Sequence, residues 1–275
     1  MILALVVGLC WQAAPLQAVP LQAAPLQAAS SSASPLTVAA ASSLQLALRD
    51  FAEIFRAHSG VRPLLVFGSS GNLARQMEYG APYDLFLSAD EGWVAYLVEK
   101  GVLAPRSVTV YAQGRLALVL HPPLAFAPEW ASADTRALAL LRGKAVRHIS
   151  LASPAHAPYG IAARQALTRA GMWAGLRGKL VYGENVRQAL TFVETGNAEA
   201  GFAAEAIVRG TRLQWLPVDG TLYSPIRQAL GLRRDTPMRE AAQQFVALLL
   251  ADRGRALLAR YGLALGASTT EGKSR

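Results

Sequence analysis

From Leu36 onward the apolar positions switch between a strand period and a helix period. "LTVAAA" is a short apolar run of the buried-strand type, and "SLQLALRDFAEIFRAHSG" repeats Leu44, Ala47, Leu48, Phe51, Ile54 and Phe55 at helical spacing until Gly60 stops it. The alternation continues with strand "PLLVFG", helix "NLARQMEYG" and strand "YDLFLSA", after which Asp90 is placed to cap helix "EGWVAYLVEKG". Strand and helix at this density predict a parallel sheet with helices on its faces.

The stretch "SVTVYAQGRLALVL", residues 107 to 120, is extended and broken at Gln113-Gly114, as expected for a passage between two units. The pattern then restarts. "VRHISLA" leads into "PYGIAARQALTRAG", "KLVYG" into "NVRQALTFVETG", and "AGFAA", "RLQWLPV" and "IRQALGL" read as further strands. A single long helix is predicted over "PMREAAQQFVALLLADRGRALLARYG". Two α/β units joined by extended passages imply two lobes, with ligand bound at the carboxyl ends of strands where helix N-termini point inward.

Composition narrows the classes. The chain of 275 residues has 16% charged side chains and a net charge of +9, and its arginines are scattered. Without a basic stripe interleaved with aromatics, nucleic-acid binding is not expected, although a diffuse positive field can steer an anion. Residues 1–30 read as a secretory signal and low-complexity spacer, with "PLQA" recurring at Pro15, Pro20 and Pro25. The lone Cys10 falls in that segment, so an exported chain forms no disulfide. Residues 266–275 are small and polar and read as a flexible tail.

Four strand-to-helix junctions look alike: Ser42-Ser43, "GSSGN" at 68 to 72, "APYG" at 157 to 160 and "GENVR" at 183 to 187. Each can present unpaired backbone N–H groups. Ser43, Ser70 and Asn185 have the chemistry of helix caps, and Pro158 suits the first turn of a helix, leaving the amide of Tyr159 free. One such junction usually caps its own helix and does nothing more. Four that converge on one cleft would offer only hydroxyl and N–H donors, which suits a fully deprotonated tetrahedral dianion. No lysine stands where a phosphate-binding P-loop needs one, so the charge would be met by dipoles and hydrogen bonds.

The segments "TVAAASSLQLALRDFAEIF", "FGSSGNLARQMEYGAPYDLFLSAD", "PYGIAARQAL" and "ENVRQALTFVETGNAEAGF" together resemble the periplasmic molybdate-binding proteins of ABC uptake systems, from about Leu36 to Gly262. The resemblance implies the two-lobed periplasmic binding protein fold, each lobe a mainly parallel sheet flanked by helices, with the ligand cleft between lobes. Residues 36–111 plus 217–265 would form lobe 1 and residues 112–216 lobe 2. It further implies that Ser43 and Ser70 donate to the oxyanion and that backbone amides at Tyr159 and Val186 complete the shell. These four would contact molybdenum only as the bound oxyanion. Some members carry a tyrosine where this chain has Ala204.

The expected function is therefore capture of molybdate or tungstate in the periplasm by lobe closure, and delivery to an ABC permease by a monomeric, non-enzymatic receptor without cofactor. A sulfate or phosphate receptor, or a ligand-sensing regulatory domain of the same fold, remains open. Phosphate, partly protonated at neutral pH, would reward a buried carboxylate acceptor, which the four loops lack; Glu184 is expected to face solvent. Asp84 is expected to fix the turn after Ala81-Pro82, and Asp90 to cap its helix, in place of any acid–base role. His58, His121, His148 and His156 have no metal-ligand spacing, and His156 lies nearest the junctions.

Overall fold

A computed structural model describes residues 35–263. The predicted export segment at 1–30 and tail at 266–275 lie outside them. The described chain forms two five-stranded sheets, each flanked by helices.

The first sheet contains β1 (Thr37–Ala41), β2 (Leu64–Gly68), β3 (Leu85–Ser88), β4 (Thr109–Gly114) and β10 (Ile226–Leu232), in the order β2-β1-β3-β10-β4. The second contains β5 (Leu116–Leu120), β6 (Ile149–Ala152), β7 (Leu180–Gly183), β8 (Ala200–Ala204) and β9 (Gln214–Pro217), in the order β7-β6-β8-β5-β9. Both sheets are mixed in the same way. Three neighbours run parallel, and the fourth position is held by a reversed strand, β10 or β5, that pairs antiparallel on both sides. The reversal follows from connectivity. Each of these strands arrives directly from the other lobe, enters its sheet from the cleft end, and so runs against its neighbours.

The chain changes sheets at Arg115 and again between Pro217 and Ile226. Residues 112–114, expected in the second lobe, pair with β10 and belong to the first, because an extended residue carries no sequence mark of the sheet it joins. The two passages are tied together where the amide of Leu116 donates to the buried Tyr223 hydroxyl at 3.1 Å.

In lobe 1, α1 (Gln45–Ser59) covers one face of the sheet and α2 (Ser70–Glu78) and α3 (Glu91–Glu99) the other. Strand alternation sorts the side chains: Val38 and Ala40 join the core beneath α1, whereas Ala39 and Phe86 meet Leu73, Ala74 and Val94 of α2 and α3. In lobe 2, α4 (Thr135–Ala139), α5 (Pro158–Arg169), α6 (Trp173–Leu176), α7 (Val186–Glu194) and α8 (Glu205–Val208) surround the second sheet. The chain then returns to lobe 1, where Phe245 of α9 (Arg239–Leu250) meets Phe51 and Phe55 edge-on with centroids 4.9 and 5.1 Å apart. The single C-terminal helix expected from periodicity is two. Ala251 is extended, and α10 (Asp252–Arg260) starts anew, its Leu257 and Leu258 turned into the same core.

Asp84 does more than fix a turn. It is buried, and its carboxylate accepts the Thr37 amide at 2.8 Å and the Thr236 hydroxyl at 2.6 Å, joining the starts of β1 and β3 to the chain beyond β10. No helix among the described residues is long and apolar enough to cross a membrane.

Candidate functional site

The carboxyl ends of β1, β2 and β3 face the N-termini of α5 and α7 across a narrow, nearly closed cleft whose free space is about 10 Å³. Ser43, Ser70, Tyr159 and Val186 all line it, together with Ser42, Ser69 and small apolar residues. The four junctions singled out in the sequence do converge. No charged side chain stands among the lining residues.

The two serines reach the cleft by different routes, and neither is a helix cap. Ser43 sits within a 3-10 turn over Ser42–Leu44 that precedes α1, and no side-chain cap bond forms there. Its hydroxyl is buried and lies beside that of Tyr159 without a well-formed hydrogen bond. A buried hydroxyl without a full partner is able to turn toward an acceptor in the cleft. In α2 the cap is Ser69, whose oxygen accepts the Asn72 amide at 3.4 Å, and Ser70 is the first helical residue. The Ser70 hydroxyl is fully buried and accepts the Ala89 amide at 3.0 Å. That contact occupies a lone pair and leaves the hydroxyl hydrogen to point outward as a donor. Sequence could not separate Ser69 from Ser70, because the choice is made by Ala89 and His156, both remote in the chain.

Lobe 2 offers backbone. Pro158 opens α5, and Asn185 caps α7 by accepting the amides of Arg187 at 3.0 Å and Gln188 at 3.1 Å. Asn185 leaves the amide of Val186, first residue of α7, without an acceptor among the described residues, and the amide of Tyr159 in α5 is likewise free. Three helices of 9, 12 and 9 residues thus aim their N-termini at one small space. Ala204, at the end of β8, is fully buried and does not line it.

The rim clasps the lobes together. The Gly71 amide donates to the His156 carbonyl at 3.0 Å, and a Cβ at Gly71 would lie 2.7 Å from that oxygen, so only glycine permits the approach. The Ser69 hydroxyl and Nδ1 of His156 share a hydrogen bond at 2.8 Å. Partial burial, and then the Arg75 cation, lower the His156 pKa below its ordinary value while Glu184 opposes them, which favours the neutral imidazole. Asn72 donates to Glu184 at 3.1 Å, which places that carboxylate on the exposed rim and outside the cleft lining. Within the junction "GSSGN" the sequence reading gave a role to Ser70 and none to Ser69 or Asn72, the clasp residues.

The sequence pattern of the family described as bacterial extracellular solute-binding protein matches residues 36–264. The chain is 33% identical over 241 residues to the molybdate-binding protein ModA of Azotobacter vinelandii, covering 86% of this chain and 92% of that one. It is 31% identical over 234 residues to ModA of Rhodobacter capsulatus, covering 84% and 89%. Among solved structures it superposes on the periplasmic molybdate-binding protein of Azotobacter vinelandii with a TM-score of 0.77 at 29% identity, over 84% of this chain and all of that one.

Proposed function

The chain belongs to the bacterial extracellular solute-binding protein family, and we propose that its cleft captures molybdate or tungstate through neutral donors alone. It is a substrate-binding component of an ABC uptake system and not an enzyme. An inner-membrane permease is its partner and an oxyanion its ligand. We place it in the periplasm, as a monomer.

The observation that carries this reading is the convergence of two buried serine hydroxyls and two free helix-start amides on a cleft lined by no charged side chain. Ser43 and Ser70 would donate through their hydroxyls, and Tyr159 and Val186 through their amides. Each hydrogen bond to a charged ligand contributes about 1.5–3 kcal/mol. The helix N-termini add a few tenths to about 2 kcal/mol each. A handful of such contacts supports tight binding without a countercharge. The same donor set disfavours hydrogenphosphate, because no carboxylate lines the cleft to accept its proton.

Titration calorimetry of the chain from residue 31 onward, with molybdate, tungstate, sulfate and phosphate, tests the assignment. Sub-micromolar molybdate and tungstate binding with little response to the other two is the expected result. Preferential sulfate or phosphate binding would change the cargo and keep the fold. No binding by any of the four would return the junctions to ordinary helix starts.

A further inference from the structure

Tyr159 offers its backbone amide to the site, and its buried side chain reaches across to lobe 1. There its hydroxyl lies beside that of Ser43 and accepts from Gln228 Nε2 of β10 at 3.2 Å. Gln228 is fully buried, and its Oε1 accepts the Tyr111 hydroxyl of β4 at 3.1 Å. Burial keeps both phenols protonated, with pKa values raised above the ordinary range. Gly114 makes the room: a Cβ there would lie 2.1 Å from the Tyr159 hydroxyl and 2.8 Å from Gln228 Nε2.

This contact differs from the rim clasp. The rim bond from Asn72 to Glu184 is exposed to water, which competes for it. The bond from Gln228 to Tyr159 is dry, where a hydrogen bond is stronger and an unmade one costs more. It spans the two lobes, joining β10 of lobe 1 to α5 of lobe 2. It also ends on the residue whose amide faces the cleft.

We propose that the Gln228–Tyr159 hydrogen bond is a buried closure latch, and that Gln228 is a positioning residue for oxyanion capture. Closure seats the Tyr159 side chain against Gln228 in the space left by Gly114, and the same movement brings the Tyr159 amide to the anion. Gln228 never touches the ligand. It acts by holding the donor in place, and so slows release more than it speeds entry. The inference rests on the site described above.

A double-mutant cycle on the full chain tests it, with Tyr159→Phe, Gln228→Met and the pair, each titrated with molybdate and followed by stopped-flow dissociation. Each single change is expected to weaken binding roughly 3- to 10-fold, almost wholly through faster release. The double variant is expected to bind no worse than the weaker single, because both delete the same interlobe bond; the further loss of the Tyr111 contact in Gln228→Met lies within lobe 1. Gly114→Ala, which removes no polar group, should speed release in the same way, and it serves if Gln228→Met fails to fold. Losses that multiply in the double variant, or singles whose release rate is unchanged, overturn the latch and leave the site intact. A wild-type chain that binds none of molybdate, tungstate, sulfate and phosphate overturns the site, and the latch with it.

Discussion

The two lobes furnish the same cleft in different currencies of structure. Lobe 1 brings side-chain hydroxyls, Ser43 and Ser70, from the ends of β1 and β2. Lobe 2 brings backbone amides, at Tyr159 and Val186, from the first turns of α5 and α7. A hydroxyl donor is deleted by changing one side chain. An amide donor survives every substitution except proline. One half of the site is therefore open to tuning by mutation, and the other half is fixed by the fold itself.

The sharpest way to break this contrast is Val186→Pro. Val186 is the first residue of α7, where proline suits the helix, and the Asn185 cap is untouched. Helix content measured by circular dichroism should therefore hold, while molybdate affinity falls by about 100-fold or more with the lost N–H and the crowding of the ring. A Pro variant that still binds tightly would remove Val186 from the site.

The two serines come next, and they should part company. Ser43→Ala and Ser70→Ala are each expected to weaken binding by about 1.5–3 kcal/mol. In the unliganded protein, Ser43→Ala removes a buried hydroxyl that has no well-formed hydrogen bond, so the melting temperature should change little. Ser70→Ala strands the Ala89 amide, so melting should come earlier. Calorimetry paired with thermal melts reads both effects, and identical melting shifts in the two variants would sink the distinction.

A smaller effect is expected at the rim. The folded protein holds the His156 pKa below the ordinary 6.5. As pH falls through that value the unfolded chain takes up the proton first, so stability present above it is progressively lost toward the depressed folded value. The melting temperature should thus fall between about pH 7.5 and about pH 5.5, and fall less in His156→Gln. Parallel curves for the two would show that the imidazole carries no such linkage. The least effect belongs to Val186→Ala, expected to bind within about 2-fold of wild type because only the amide is used; a large loss there would mean that the side chain itself shapes the cleft.

The same contrast governs what was legible in the sequence. The strand–helix alternation and the Pro158 and Asn185 helix starts are local features, set by periodicity and cap chemistry within a few residues, and the structure repeats them. The fate of each serine depends on partners far away, which is why Ser70 looked like a cap that Ser69 in fact supplies. The reversed strands β5 and β10 carry ordinary strand patterns, and their direction comes from connectivity alone. Ala251 breaks the last helix without a proline or glycine at the break, so helical periodicity ran straight through it. Gln228 gave no signal at all, because a polar residue next to Arg227 in a strand acquires meaning only from the tyrosines that close on it.

The strand order also fixes a sequence of events in time. Lobe 2 is one uninterrupted piece of chain from β5 to β9, and it can fold once that piece is made. Lobe 1 begins earlier but cannot finish, since β4 pairs only with β10 and has no neighbour until Leu232 has been synthesised. The half of the protein that is started first is therefore completed last. Until then it exposes the open edge of β3, a long-range pairing deferred by more than 100 residues of intervening chain, which makes closure of the first sheet the slow step expected in folding.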